Sequence, residues 1–381
     1  MLKNKDYIVS QSLDYLRFPL ALIVVLVHVV NIDDVGVYVL GDKMGALSKG
    51  SLLYDIRNIL NVFVRGISVP IYLFISGYVF FKGLEEYNWG IYTRKIRNRV
   101  HTLLIPYFIW NILELLLVII IHSTAFKSFS AGGSQTLNLS LKNVLSCFWI
   151  YNGQIIQSGV SAVDANALFP LNTPLWFIRD LFCVALFTPF LYYALKRCGY
   201  ITLTFFLLIW LLPMAESYQI FDQFALVVFF FSLGAFMSIH RYDVTNFFSR
   251  ISVLGVVLYF GGACAYLLLS EESILSNLFK SINIIGALIV AYNIAFRKVT
   301  EGDYKKALFL SSASMFVYLA HSLVCMRLYK TLLLLITPSS STRVFLCLLL
   351  TYVIVVAILL LVYFVLRQKF PKLLTILTGR K

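Results

Sequence analysis

Charged residues are scarce in this chain, and their scarcity sets its class. Asp, Glu, Lys and Arg make up 13% of the 381 residues, whereas hydrophobic residues make up 60% and the mean hydropathy is +0.84. A soluble protein of this size cannot cover its surface with so few charges. The composition therefore predicts an all-α polytopic membrane protein and excludes a soluble globular enzyme.

The motifs of common catalytic and metal sites are also missing. The six cysteines are scattered, with no Cys-x-x-Cys pair and no Cys/His ligand spacing, so we predict neither a disulfide framework nor a bound metal. The chain has no Gly-x-Ser-x-Gly elbow and no glycine-rich phosphate loop. If it catalyses a reaction, we expect the nucleophile to be a substrate hydroxyl or a histidine.

Ten apolar runs have the length that a bilayer requires, about 17–24 residues. Twenty of the 32 Lys and Arg residues lie on the side of these runs that holds the N-terminus, and nine lie on the other side. This asymmetry predicts about ten transmembrane helices with both termini cytoplasmic. It also accounts for the net charge of +14 without a nucleic-acid partner. The runs cover residues 13–31, 59–81, 102–121, 174–195, 200–216, 223–239, 251–269, 279–296, 308–328 and 344–366.

Most connections between the runs are short, and we expect one transmembrane domain over residues 1–381 with no appended soluble domain. The exception is a long extracytoplasmic loop of about residues 122–173. It begins with the Gly/Ser-rich stretch SFSAGGSQ and contains the apolar patch LSCFWIYNG. A loop of this length predicts either a cover over an outer acceptor site or a plain connector.

The first run carries two polar residues that need a reason to be there. Arg17 and His28 are 11 residues apart, which on a helix brings them to within about 20° of one face. Their separation along the axis is about 16 Å, half a bilayer. A charge inside an apolar run costs at least ~2.5–3.5 kcal/mol. The pattern predicts a cation near one water boundary and an acid–base group deeper in.

Four further runs hold titratable or charged groups at a similar depth, roughly 18–22 Å from the inner boundary at 1.5 Å per residue. Such groups normally face the bundle interior and mark a site. We expect His28 to act as general base, Asp180 or Glu114 to orient it, and the remaining arginines to stabilise an oxyanion. The four runs contribute Arg65, Glu114, the pair Arg179–Asp180, and His321.

A basic run precedes the third apolar run. Arg94 and Arg97 have the i, i+3 spacing of neighbours on one helix face. Two interpretations remain open at this point. The run is either ordinary positive-inside charge or a cluster that binds phosphates through guanidinium groups.

These residues resemble the motifs of the acyltransferase-3 family, bacterial inner-membrane proteins that O-acylate sugars of cell envelopes. The resemblance extends over residues 12–322. It consists of Arg17 to His28, the stretch VPIYLFISGYVFFKG, the basic run followed by Pro106, Tyr107 and Trp110, the triplet Leu175-Trp176-Phe177, and Tyr318-Leu319 with His321.

The resemblance implies that the chain transfers an acyl group, usually acetyl, from cytoplasmic acyl-CoA to a hydroxyl at the outer face. The acceptor is then an envelope polysaccharide or a lipid-linked sugar. By the same resemblance His28 is the essential catalytic residue, and Arg17 holds the donor or orients the helix. Arg94 and Arg97 are then the contacts of the CoA phosphates. We assign Trp176, His321 and Arg179 to the acceptor side.

Two departures from the family pattern stand out. We expect no hydrolase-like domain after the last run, and therefore expect the protein to act on its acceptor directly or with a separate extracytoplasmic partner. Within the second run, Val69 is preceded by VRGIS instead of an acidic, double-glycine segment, which leaves the subfamily open. The alternative function is a transporter or flippase. Transporters often show matching halves, and the unlike halves of this chain favour the enzyme.

Overall fold

The computed structural model describes residues 2–32, 51–123, 136–151, 156–157, 169–212, 219–269, 273–302, 305–336 and 340–379. The SFSAGGSQ stretch lies outside these residues. Within them the chain is almost entirely helical. The helices are α1 Leu2–Val30, α2 Leu52–Leu60, α3 Ser68–Phe81, α4 Trp89–Arg99, α5 Ile105–Ser123, α6 Leu141–Ser146, α7 Trp176–Leu186, α8 Thr188–Leu211, α9 Gln219–Ile239, α10 Val244–Arg250, α11 Ser252–Leu268, α12 Ile274–Thr300, α13 Lys305–Ile336, α14 Ser341–Lys369 and α15 Pro371–Thr378.

Short irregular pieces link some of these helices. π-helical turns join α2 to α3 and α4 to α5, at Asn61–Arg65 and Val100–Leu104. A 3₁₀ turn, Thr173–Leu175, leads into α7. Two strands of two residues, β1 Thr136–Leu137 and β2 Ile156–Gln157, pair antiparallel inside the long loop.

The predicted all-α membrane class is confirmed, and the finer count stays a prediction. Each of the ten apolar runs overlaps a helix. In the described part of the chain, six helices are long and apolar enough to cross a membrane, or up to eight if each of two bent pairs forms one span. The number ten and the inside–outside orientation remain predictions.

The fourth and fifth runs meet within α8. The sequence predicts a break between residues 195 and 200, and Cys198 in this interval has non-helical angles, φ −127° and ψ 42°, which kink α8. The polar pair Lys196–Arg197 lies directly before this kink.

The chain divides into two compact units, which we describe separately. Unit 1 comprises Met1–Val24, Ile59–Arg99 and Asp180–Ser314. Unit 2 comprises Val25–Asn58, Val100–Arg179 and Met315–Lys381.

Glycines allow two helix pairs of unit 1 to approach closely. A Cβ on Gly77 of α3 would lie 2.0 Å from the carbonyl oxygen of Phe231, and one on Gly234 of α9 would lie 2.1 Å from that of Phe74. On α12, a Cβ on Gly286 would lie 2.3 Å from a backbone nitrogen of α11. Small residues at a crossing let helix backbones touch, which is how membrane helices gain packing energy without a hydrophobic drive.

In unit 2, the described part of the long loop has a small core of its own. Cys147 is fully buried and packs with Leu115 and Val118 of α5. The loop is held further by hydrogen bonds from the Tyr107 hydroxyl to the carbonyl of Phe148 and from the amide of Leu171 to the carbonyl of Cys147. Burial raises the pKa of the Cys147 thiol to about 12. This part of the loop is therefore packed structure.

Candidate active site

Unit 2 brings two histidines into contact. His28 lies in the last turn of α1 and His321 lies on α13, and their ring centroids are 5.1 Å apart with planes tilted by 45°. His28 is partly buried, whereas His321 is completely buried. The sequence placed both residues at one depth, and the structure makes them neighbours.

A backbone hydrogen bond fixes the tautomer of His321. Its Nδ1 lies 2.6 Å from the carbonyl oxygen of Tyr318. A carbonyl oxygen only accepts, so Nδ1 carries the proton and Nε2 of the neutral ring keeps its lone pair. Within the described residues, Nε2 is buried and has no hydrogen-bond partner. A buried acceptor left unsatisfied costs about 1–3 kcal/mol, so this nitrogen is expected to meet a proton donor during function.

Arg57 fixes the end of the helix that carries His28. Its Nε and Nη2 donate to the carbonyl oxygen of Val30 at 3.0 and 2.9 Å. The last carbonyls of a helix lack partners within the helix, and a guanidinium satisfies them while matching the helix dipole. Sequence reasoning counted Arg57 only as an outer basic residue and missed this role.

Tyr318 connects the histidine pair to the start of α7. Its hydroxyl donates to the carbonyl of Pro174, and its ring packs edge-on against Phe177 at 5.9 Å. The Leu-Trp-Phe triplet is thereby held against α13. Trp176 is partly exposed and lies 6.3 Å from the ring of Phe169. The structure thus places the predicted acceptor residue Trp176 next to a second aromatic ring of unit 2.

Asn172 is a second buried polar group that sequence reasoning missed. Its side chain is fully buried, and neither Nδ2 nor Oδ1 has a hydrogen-bond partner among the described residues. Its backbone amide donates to Oδ1 of Asn111 at 3.1 Å, which fixes the position of the side chain. An amide that offers one donor group and one acceptor suits a hydroxyl. No pattern in a single sequence distinguishes this asparagine from others in the loop.

Glu114 pairs with Arg327. Nη2 of Arg327 lies 2.7 Å from Oε1 and Nη1 lies 3.4 Å from Oε2, so the contact is bidentate. The sequence proposed that Glu114 orients His28 and counted Arg327 among the outer basic residues. The signal that would have found the pair is a carboxylate inside an apolar run, because such a charge requires a cation.

Arg179 reaches the long loop. Its Nη1 donates to the carbonyl of Trp149 at 2.5 Å, and its guanidinium lies 5.2 Å from the centre of the Trp149 ring. Arginine favours this combination of hydrogen bonding and stacking. The residue after it, Asp180, belongs to unit 1 and accepts a hydrogen bond from Nε2 of Gln223 at 2.8 Å. The predicted roles of both residues stay predictions.

In unit 1, the cation of the first helix has a local partner. Nη1 of Arg17 lies 2.8 Å from a carboxylate oxygen of Asp14, one turn before it. The hydroxyl of Tyr72 donates to the carbonyl of Arg17, and that of Ser311 donates to the carbonyl of Asp14 at 2.7 Å. The side chains of Arg17 and Asp14 are both partly exposed. The ion pair with Asp14 offsets the cost of placing Arg17 in an apolar run. The hydrogen bonds from α3 and α13 hold this turn of α1 in position.

The basic run on α4 divides into two faces. Lys95 and Arg99 lie over the ring of Phe80 at 5.0 and 5.6 Å. Arg94 and Arg97 are exposed and form no ion pair within the described part of the chain. In the described part of the chain, the two predicted phosphate contacts thus have no acidic partner, and their role stays a prediction.

Arg65 ends the π-helical turn of unit 1 and lines a cavity of about 60 Å³ with Tyr266 and Lys280.

The sequence predicts that several polar residues meet at one depth. In unit 2, His28 contacts His321, while Glu114 forms an ion pair with Arg327. Among the described residues, no group of three or more His, Cys, Asp or Glu side chains lies close enough to hold a metal ion.

Comparison with known proteins identifies the family. A family model described as an acyltransferase domain matches residues 10–362. The succinoglycan biosynthesis protein ExoH of Rhizobium meliloti (strain 1021) is 25% identical over 209 residues, which cover 51% of this chain and 50% of ExoH. The chain thus spans about half the length of this relative, and no solved structure matches it. Because the family model matches residues 10–362, which is most of the chain, the chain belongs to the acyltransferase-3 family.

Proposed function

We propose that this membrane acyltransferase moves an acetyl group from cytoplasmic acetyl-CoA to a hydroxyl of an envelope polysaccharide, or of its lipid-linked precursor, at the outer face. The family supports the acyl transfer. The name of ExoH, a succinoglycan biosynthesis protein, supports a polysaccharide acceptor. The donor, the direction of transfer and a bacterial inner-membrane location are our proposals.

The contact between His28 and His321 carries this proposal. A hydroxyl is a poor nucleophile at neutral pH until a base takes its proton, and imidazole is the side chain suited to that task. The two rings, 5.1 Å apart at their centroids, are close enough to share a proton directly or through one water. We propose His28 as the base because its ring is the more accessible of the two.

In the proposed reaction, the acceptor oxygen attacks the thioester carbonyl while His28 takes the hydroxyl proton. The tetrahedral intermediate then collapses, the carbon–sulfur bond breaks, and CoA leaves as a thiolate that takes the proton back from His28. His321 accepts a hydrogen bond at Nε2 and so favours the correct orientation of His28 or of the hydroxyl. Arg17, with Arg94 and Arg97, binds the anionic donor.

On the acceptor side, Trp176 and the amide of Asn172 are proposed to bind the sugar. A tryptophan ring stacks on a sugar face, while the amide reads a hydroxyl through a donor and an acceptor. Arg65, Arg179, Asp180 and Glu114 shape and polarise the site in this proposal. A separate extracytoplasmic protein that presents the glycan is also compatible with it.

Release of CoA thiol from acetyl-CoA by the purified protein in detergent tests the function. The assay compares the wild type, His28→Ala and the control His101→Gln, which changes an exposed histidine outside the histidine pair. With envelope glycan present, we expect loss of a general base to lower the rate by about 10²–10⁴-fold, and the control to match the wild type. Equal rates for wild type and His28→Ala would remove His28 from the chemistry.

The same assay tests the route of transfer. Brief incubation with radiolabelled acetyl-CoA without acceptor, followed by denaturation and separation, shows whether label stays on the protein. Direct transfer predicts no labelled protein. Label that is present in the wild type and absent in His28→Ala would instead establish an acyl-histidine intermediate. Absence of thiol release and of acetyl-CoA binding, even with envelope extract added, would contradict the acyltransferase function.

A further inference from the structure

Unit 1 contains a cavity that the proposed acyl transfer does not use. Its volume is about 300 Å³, and it is lined by the ends of α3 and α9 and by the first half of α8. This volume is at the lower end of the range for small-molecule sites. The residues that matter for its chemistry are Phe81, Glu85, Tyr192, Lys196, His240 and Arg241.

The cavity has an excess of positive charge. Lys196 and Arg241 face a single carboxylate among the lining residues, Glu85. Within the described residues, none of the three forms an ion pair. The ammonium of Lys196 lies 3.1 Å from the hydroxyl oxygen of Tyr192 and 5.3 Å from the centre of its ring, which fixes its position. Two unneutralised cations at a concave site favour an anionic ligand.

The wall of the cavity is built at the kink of α8. Nε2 of His240 donates to the carbonyl of Leu195 at 3.0 Å. The hydroxyl of Thr202 donates to the preceding carbonyl, that of Ala194, at 3.2 Å. Both carbonyls lie within the turn before the kink at Cys198, where side-chain donors can bond to the backbone. These bonds hold Lys196 on α8 and His240 at the end of α9 in a fixed relation.

Arg241 occupies a backbone conformation that favours glycine. Its φ is +53°, and the amide of Tyr242 donates to the carbonyl of Met237 at 2.9 Å, which closes the end of α9. Glycine usually occupies this position because it has no Cβ to strain. A strained residue other than glycine at the wall of a cavity supports a role for its side chain.

Aromatic rings cover another side of the cavity. The rings of Phe81 and Tyr192 are nearly parallel, 6.0 Å apart with planes at 21°, and Tyr87 packs on Tyr192 at 4.9 Å. Inorganic phosphate has no apolar part that could pack against these rings, whereas an anion attached to an organic group does.

We propose that this cavity binds a phosphate ester. Lys196 and Arg241 contact the phosphate, and the organic part packs against Tyr192 and Phe81. Two sources share this chemistry: a soluble nucleotide and the headgroup of an anionic lipid. The proposal does not depend on the histidine pair.

Binding to the purified full-length protein tests the proposal with two probes. Adenosine 3′,5′-bisphosphate is titrated by isothermal calorimetry, both without and with the changes Arg94→Gln and Arg97→Gln that remove the proposed donor contacts, and retained phosphatidylglycerol is counted by native mass spectrometry. The variants are Lys196→Gln and Arg241→Gly, and the control is Arg197→Gln, an exposed neighbour that does not line the cavity. Loss of one charged contact is expected to weaken one of the probes about tenfold or more, while the control binds like the wild type.

Arg241→Gly separates binding from folding. Glycine suits φ +53°, so this variant is expected to melt no lower than the wild type while it binds less. An effect on the bisphosphate alone identifies a nucleotide site, and an effect on the lipid alone identifies a headgroup site. Wild type that binds neither probe, or variants that bind both probes like the wild type, would overturn the proposal. His28→Ala is expected to bind normally, so this result is independent of the acyl-transfer test.

Discussion

At the scale of single residues, the chemistry of this protein depends on which polar groups have partners inside an apolar interior. Asp14 and Arg17 pair within one turn, and Glu114 pairs with Arg327. His321 is different, because the structure leaves its Nε2 unsatisfied in the described part of the chain. Each ion pair offsets the cost of its charges in an apolar interior, and we propose that the unsatisfied nitrogen marks the reaction site.

His321→Asn tests the unsatisfied nitrogen. Asparagine keeps a donor near the position of Nδ1 for the carbonyl of Tyr318 but removes the Nε2 acceptor. We expect kcat for acyl transfer to fall about tenfold or more with little change in KM, since the lost hydrogen bond is worth 1–3 kcal/mol only during the reaction.

The pH profile distinguishes this positioning role from a structural one. If His321 acts through His28, the acid limb of kcat against pH shifts in His321→Asn, because His28 loses a neighbour that affects its protonation. If kcat in His321→Asn kept the same pH dependence and fell only in proportion to the amount of folded protein, the positioning role of His321 would be contradicted.

The pair Glu114–Arg327 predicts a loss of stability. Glu114→Gln leaves the guanidinium of Arg327 without its carboxylate, and breaking a largely buried pair costs about 3 kcal/mol. We expect a lower melting temperature in detergent. The double variant Glu114→Gln/Arg327→Gln is expected to recover part of the loss, since no unpaired charge remains. If the loss of stability in the double variant equals the sum of the losses in the two single variants, Glu114 and Arg327 are not energetically coupled.

At the scale of the helix, close backbone contact explains a glycine in the second-run motif. Gly77→Ala on α3 places a Cβ 2.0 Å from the carbonyl oxygen of Phe231, so α3 and α9 must separate. We expect a clear fall in melting temperature and in the yield of folded protein.

The matched control for this change is Gly261→Ala on α11. A Cβ there meets no atom within 4 Å, and alanine favours a helix by about 1 kcal/mol over glycine. Its melting temperature is therefore expected to equal or exceed that of the wild type. Similar losses in both variants would show that the close contact of α3 and α9 contributes nothing.

At the scale of the whole molecule, composition alone predicts the class, and spacing along the apolar runs predicts the contact of His28 with His321 but not the partners of the other polar residues. The chain is nearly all helical, as hydropathy predicts, because a bilayer leaves a backbone few other ways to satisfy its hydrogen bonds. The sequence does not show which distant polar residues form pairs. Glu114 and Arg327 are 213 residues apart, and only the packing of α5 on α13 brings them together. The burial of Asn172 likewise depends on tertiary contacts, whereas the kink at Cys198 lies where the sequence predicts a break, between residues 195 and 200.

The orientation in the membrane is the remaining prediction at this scale. Both termini are expected to be cytoplasmic because basic residues concentrate on that side, where they resist translocation. A fluorescent protein fused after Lys381 should therefore fluoresce, and alkaline phosphatase at the same point should be inactive. Alkaline phosphatase inserted in the stretch SFSAGGSQ should be active, since we expect that loop outside. The reverse pattern of reporter activity would show the opposite orientation. Arg94 and Arg97 would then lie outside the cytoplasm, where they could not bind cytoplasmic acyl-CoA.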